Sequence, residues 1–364
     1  MRFAKTRTSV HSTSNPNTVN IGYGATVDCA ILVAAQELGL FHKYGLKVHL
    51  SREVGWTTIR EKLVHGELNL AATHASMLFS IYCGLGGMVR RPCLSAMLLG
   101  RNGSGITLTS DLWRRGVRDA ASLAKLIGDD QAPRHFTFGV VHELSSQNLN
   151  LRTWLRGGGI DPDRDVRIVV IPSALMPTMM TAGYLDGYCV AEPWNSAALR
   201  RGNGWIAAAT SEVSPNHPEK LLLALQDFAD KREDEHLRII AAMIEASLFC
   251  DQPGNRAELA RMLANPNYFD TDKALLTKAL KWQFEMGHSR PAIQHFVVYD
   301  ALKVGAPTHA IGKWVYELVR ELSGNDCTPA LRSEIIPTLF REDLFHKAAS
   351  LLNRADNNAP ALCV

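Results

Sequence analysis

Residues 19–73, VNIGYGATVDCAILVAAQELGLFHKYGLKVHLSREVGWTTIREKLVHGELNLAAT, carry the pattern that decides the fold. Three β-rich runs, 19–24, 46–50 and 68–73, alternate with two helical patterns, 28–38 and 57–65. Asp28 reads as an acidic N-cap, and Gly39 and Gly66 read as helix stops, because glycine enters the left-handed region without a Cβ clash. This alternation predicts a mostly parallel sheet with right-handed crossovers.

The pattern continues outward. A strand near 106–109 is expected to close the first unit, and 136–141 to open a second. The second unit runs through a Ser-capped helix at 145–156, a strand at 165–171, a helix at 174–182 and a strand at 186–190. Pro193 then starts another helix. A strand at 205–209 is expected to return to the first lobe. Beyond His217 the periodicity is helical, over 221–250, 256–264, 273–284, 310–322 and 344–352. The expected division is a disordered tail at 1–18, a first lobe at 19–107, a second lobe at 108–204, and a return to lobe one plus C-terminal helices at 205–364. Open sheets of this kind take ligands outside the carboxyl ends of their strands, where helix N-termini offer unpaired N–H groups to anions.

Composition excludes several classes. The 364 residues are 46% hydrophobic and 21% charged with a formal net charge of +3, and the basic residues form no dense run, so nucleic-acid binding is not expected. Seven cysteines, none in a C-x-x-C pair, read as free thiols of a reducing compartment. The N-terminal stretch MRFAKTRTSVHSTSNPNT has no apolar segment of the kind a secretory leader needs, which points to the cytoplasm unless a leader was removed. No H-E-x-x-H, paired Cys/His spacing, G-x-S-x-G elbow or Walker sequence occurs, so neither metal nor cofactor is expected.

Four loops fall where such a cleft would use them: 22–28, Arg101-Asn-Gly-Ser-Gly105, Leu144-Ser-Ser-Gln-Asn148 and Cys189-Val-Ala-Glu-Pro-Trp194. With LRTWLRGGGIDPDRDVRIVVIP, LDGYCVAEPWN and NHPEK in this order, the chain from about Val19 to about Leu322 resembles the nitrate- and bicarbonate-binding proteins of ABC transporters. It also resembles the cytoplasmic nitrate/nitrite sensors related to them. The resemblance implies an α/β, two-lobed type II periplasmic-binding-protein fold with a helical C-terminal region. It implies an anion site at Trp56, Asn102, Gly103, Ser104, Gln147, Val190, Ala191, Glu192 and Lys220. Three positions depart from the transporter pattern: Ser104 and Gln147 stand where Gln and His are usual, and Ala191 where Gly is usual. Trp56 and Lys220 fit the nitrate pattern and disfavour the calcium-assisted bicarbonate type.

The residue chemistry suits that site. A buried monoanion loses its hydration, so it needs donors and usually one positive charge. Lys220 is the expected charge, Gln147 a donor, Trp56 a donor or cover, and the 190–192 turn amides further donors. Ser104, shorter than Gln, is expected to leave space. Each residue type also has an ordinary role: Trp56 in the core, Lys220 solvated near a helix start, Glu192 capping its helix. The protein is expected to bind rather than catalyse. A thiamine-pyrimidine-synthase-like enzyme shares only the fold, and its cysteine-rich iron motif is absent. The expected role is a cytoplasmic sensor acting on an RNA-binding antiterminator. The alternative is the solute-binding subunit of an ABC importer, with a permease as partner.

Overall fold

The computed structural model describes residues 18–87, 89–129, 135–288, 290–324 and 329–352, so the tail expected at 1–18 lies almost wholly outside them. Two mixed sheets build two lobes. The first sheet contains β1 (Val19–Gly24), β2 (Val48–Glu53), β3 (Leu70–His74) and β4 (Cys93–Asn102). The second is built from β5 (Ser104–Thr109), β6 (Thr137–Val140), β7 (Arg167–Val170), β8 (Gly187–Ala191) and β9 (Gly204–Ala209). β10 (Pro218–Leu225) and the two-residue β13 (Val297–Val298) return to the first, giving the order β13-β4-β10-β3-β1-β2 against β7-β6-β8-β5-β9. β11 (Gln283–Phe284) and β12 (Ile293–Gln294) form a separate ribbon.

The βαβαβ reading of residues 19–73 holds: β1 pairs in parallel with both β2 and β3. The rest of each sheet is antiparallel where the chain crosses between lobes, since β10 runs antiparallel to β3 and β4, and β5 to β8 and β9. Three expectations are corrected here. The strand at 204–209 pairs with β5 and stays in the second sheet, so the return to lobe one is made by residues 210–217 instead. The 106–109 segment belongs to β5 and opens the second sheet rather than closing the first. The start of the 221–250 helical pattern is strand: every residue of Pro218–Leu225 is buried in mid-sheet, and a short continuous apolar run reads the same as a buried helix or a buried strand. The helix proper runs over Glu233–Asp251, its first turn acidic as the dipole favours.

The two crossovers lie side by side. The first is Gly103, between β4 and β5; the second is residues 210–217, between β9 and β10. Asn102 N–H donates to His217 O at 3.2 Å, and Arg101 Nη1 to Asn216 O at 3.1 Å. The turn needs positive φ at Asn102 (61°) and Gly103 (89°). At Gly103 a Cβ would also stand 3.2 Å from Val297 Cγ2, so glycine is required on both counts.

Each face of the first sheet is covered. Helices Ala30–Glu37 and Glu233–Asp251 pack one face, and Met77–Cys83 with His309–Ser323 the other. The second lobe has its own core around Phe138, Leu151 and Trp205. Cys29, Cys83, Cys93, Cys189 and Cys250 are buried and free, and burial raises each thiol, so they are packing residues; Cys327 and Cys363 lie outside the described residues. Among the described residues no helix is long and apolar enough to cross a membrane.

Candidate functional site

The site grows from the β10 strand start. Lys220 is among the largest fully buried side chains of the protein, at 1% exposure. A solvated lysine near a helix start is therefore ruled out, and a lysine this deep must be paired. Its ammonium lies 2.6 Å from Glu219 Oε1 and 3.2 Å from Asp28 Oδ2. It also sits 5.2 Å from the Trp56 ring centroid, so the indole covers the cation. Trp56 opens helix Trp56–Val64, and its ring packs against Gly24, where a Cβ would be 3.4 Å from Cη2.

Strand alternation alone would send Glu219 and Lys220 to opposite faces. The register between β10 and β4 is irregular on either side of Lys220, and both side chains reach the seam between the lobes. There Glu219 is gripped from lobe two. Ser146 Oγ donates to Glu219 Oε2 at 2.6 Å and Gln147 Nε2 donates to Oε1. Both donors stand in the first turn of helix Ser146–Gly157, whose Ser145 cap accepts from Asn148 N–H as its sequence predicted. A carboxylate at a helix N-terminus is favoured by the unpaired amides and the dipole. His217 Nε2 lies 3.3 Å from Glu219 Oε2.

The charges follow from these contacts. Burial alone would raise the Glu219 carboxyl, but Lys220 and His217 outweigh it and bring it to about 2. Burial also works against the Lys220 ammonium, yet Asp28 and Glu219 more than offset this and hold its pKa above the ordinary value. Asp28 keeps a raised pKa because burial and the Glu219 charge prevail over Lys220 and the Thr26 hydroxyl at 3.2 Å.

Other expected residues join the same seam. Ser104 pairs with Ala191 and Gly105 with Val190 across β5 and β8. Ser104 Oγ accepts from Gln147 Nε2 at 3.2 Å, so the space expected beside Ser104 is filled by Gln147 itself. The turn amide expected as an anion donor at Glu192 is committed to Gly103 O at 3.3 Å. The Glu192 carboxylate takes its helix-capping role, accepting from Ser196 N–H, and burial pushes it up to about 7. Gln147 Oε1, Asn102 Oδ1 and His74 Nε2 are buried without a partner among the described residues, the state in which a buried polar atom calls for a water or a ligand. The lobes are held shut around this seam: Val27 N–H donates to Glu192 O at 2.8 Å, Trp194 Nε1 to Ala25 O at 3.1 Å, and Ser76 Oγ to Leu144 O.

Comparison with known proteins places this geometry in a family. The model of the NMT1-like family matches residues 12–264. The chain belongs to the NMT1-like family. Among curated relatives, the nitrate import ATP-binding protein NrtC of Synechocystis sp. is 32% identical over 343 residues, 93% of this chain and 51% of that protein. The bicarbonate-binding protein CmpA of Synechococcus elongatus is 26% identical over 92% of this chain and 78% of its own length. The crystal structure of the periplasmic nitrate-binding protein NrtA from Synechocystis PCC 6803 superposes with a TM-score of 0.86 at 25% identity, covering 95% of this chain and 91% of that one. The α/β two-lobed fold agrees with the sequence reading. The chain spans about half the length, or less, of the ATP-binding relatives it matches.

Within this NMT1-like chain, four residues of the seam escaped the sequence reading: Asp28, Ser146, His217 and Glu219. Asp28 reads in sequence as a helix cap, but the segment Val27–Cys29 is 3-10 and the Asp28 carboxylate turns to Lys220 instead. Glu219 stood beside Lys220 in NHPEK, and an acid next to a lysine bound for burial was the available signal. The contact at Ser104 also yields a test. Ser104→Gln must push into the buried Gln147, so the variant is expected to lose about 1–3 kcal/mol of stability, the usual scale of overpacking. Urea midpoints of wild type and variant read this directly, and an unchanged midpoint would show that the seam still has room there.

Proposed function

We propose that this chain binds a small inorganic oxyanion, nitrate or nitrite first, in the seam between its lobes, and serves an ABC importer rather than catalysing a reaction. The observation that carries the reading is the Lys220 ammonium: a cation at 1% exposure in the contact between lobes, beside buried polar atoms that have no partner among the described residues. Such a charge is costly unless the site has use for it. Nitrate-binding NrtA and bicarbonate-binding CmpA, similar over more than nine-tenths of this chain, support an anion as the ligand. Lys220 favours nitrate over a calcium-assisted anion, because its ammonium fills the position between Asp28 and Glu219 that a divalent ion would need.

The comparisons support the importer over the soluble-regulator reading of the sequence. NrtC is a nitrate import protein by name, and the NrtA structure is that of a periplasmic protein. The match to half of the NrtC ATP-binding protein favours a second arrangement within the importer reading. In it the two-lobed module reports the anion to the transporter's ATPase. In both arrangements the anion acts by binding the closed form better than the open one.

Titration calorimetry with nitrate, nitrite and bicarbonate, each with calcium and with a chelator, tests the proposal. One nitrate or nitrite per chain, indifferent to the chelator, is the expected result. Calcium-dependent bicarbonate binding without nitrate binding would reverse the ligand assignment, and no binding of any of the three would end it.

A further inference from the structure

Two buried carboxylates share the seam around one cation. Glu219 and Asp28 contact the Lys220 ammonium at 2.6 and 3.2 Å, and side-chain exposure is at most 7% for all three. With both carboxylates ionised, this trio carries one net negative charge before any ligand arrives. A bound monoanion would make three negative charges around one ammonium with water excluded. At an effective dielectric constant of about 20, each like-charged pair about 5 Å apart costs roughly 3 kcal/mol. The seam cannot take the anion as a simple addition.

The two carboxylates differ in how firmly they are held as anions. Glu219 accepts from Ser146, Gln147 and Lys220 and faces His217 at 3.3 Å. Asp28 accepts from Thr26 at 3.2 Å and is paired with Lys220. A second buried cation, Arg256, is paired with Asp251 at 3.9 Å and lies over the Tyr299 ring at 4.9 Å. Gly103 from the crossover stands so close that a Cβ there would be 3.5 Å from Asp28 Oδ1. Tyr299 donates its hydroxyl to Val27 O at 2.8 Å, and burial raises both its phenol and the Cys29 thiol, leaving them neutral.

We propose that the anion enters the seam together with one proton, which Asp28 takes up. The bound state then holds the Lys220 ammonium, the Glu219 carboxylate, the anion and a neutral Asp28 carboxyl. The trio and its ligand keep the same net charge as the unliganded trio, and the Asp28 O–H becomes a donor where Asp28 had been an acceptor. Burial, the first cause of the raised Asp28 pKa, acts in the same direction. The inference rests on the anion-binding reading above.

Nitrate stays an anion across the working range, so any pH dependence of its binding belongs to the protein. The test is titration calorimetry of the full chain with nitrate from about pH 5.5 to about 9, in buffers of different ionisation enthalpy. At the alkaline end, wild type is expected to take up one proton per nitrate and to lose affinity about tenfold per pH unit. Asp28→Asn, which keeps the shape and a donor, is expected to bind nitrate without proton uptake and without the alkaline loss. Glu192→Gln, which removes a separate buried carboxyl raised to about 7 in its helix-capping position, is expected to take up the proton as wild type does. Wild-type affinity that is flat throughout overturns the proposal, as does an Asp28→Asn protein that still takes up a proton. Should Asp28→Asn not fold, the wild-type proton count alone decides. Nitrate binding that is absent from wild type at every pH would instead remove the anion-binding reading beneath it.

Discussion

Lys220→Met is expected to lower stability by about 3–5 kcal/mol near pH 8 and to abolish measurable nitrate binding. Methionine has nearly the length of lysine, so the packing against Trp56 survives while the charge goes. What remains is Asp28 and Glu219, both almost completely buried, facing each other without the ammonium that separated them. Removing one partner of a buried ion pair commonly costs this much because the other charge is left uncompensated. The deficit should depend on pH with a definite sign. In wild type, Glu219 has a folded pKa of about 2, below its unfolded value, so its stabilisation is present above about pH 4.5 and lost below it. In the variant, both carboxyls are shifted up, the folded state takes protons first, and stability is regained as pH falls. Urea midpoints of wild type and variant should therefore converge between about pH 8 and about pH 4. The double variant Glu219→Gln with Lys220→Met should recover much of the loss at pH 8. Equal midpoints at pH 8 would mean that Lys220 is not held in the seam at all. A stable variant with unchanged nitrate affinity would mean that it is held there for structure alone.

Much of the fold was legible because local rules and tertiary structure agree. Ser145 caps its helix, and Gly39 and Gly66 take the left-handed conformation their positions suggested. What the sequence hid is where long-range pairing overrides local pattern. Cys93–Asn102 is a ten-residue strand buried along almost its whole length, so it shows no alternation and no turn inside it. Leu221–Leu225 has the same ambiguity between strand and helix. For the site, the resemblance named Lys220, Gln147 and Ser104, and the fold brings them within a few hydrogen bonds of one another although 43 positions separate Ser104 from Gln147. Their partners were less visible. Asp28 satisfies the local grammar of a helix N-terminus equally well, and Glu219 is turned into the seam only by an irregular register that pairing with β4 imposes. A composition-level expectation of one cation among neutral donors thus becomes, in the structure, a cation already shared by two carboxylates.

Two buried groups outside that cluster should give stability opposite slopes over one pH range. His236 is fully buried in helix Glu233–Asp251, and neither ring nitrogen has a partner among the described residues. Burial, aided by the Arg341 charge, lowers its pKa to about 4. Between about pH 6.5 and about 4 the unfolded chain binds a proton there and the folded chain does not, so acid erodes stability by roughly 3 kcal/mol. Glu192 is the converse. Burial raises it to about 7, so between about pH 4.5 and about 7 the folded chain holds the proton, and stability falls as pH rises by a similar roughly 3 kcal/mol. In wild type the two trends offset each other, and a single acid-denaturation curve would conceal both. Single variants separate them. His236→Leu should gain on wild type progressively from about pH 7 down to about 4, because its folded state has no imidazole to keep neutral. Glu192→Gln should gain on wild type as pH rises from about 4.5 to about 8, because a buried carboxylate no longer has to form. Urea midpoints measured at about pH 4.5, 6 and 8 would show two difference curves of opposite sign. If both variants instead run parallel to wild type across the range, then water reaches His236 and Glu192 in solution, and neither is sealed within the packed helices that surround it here.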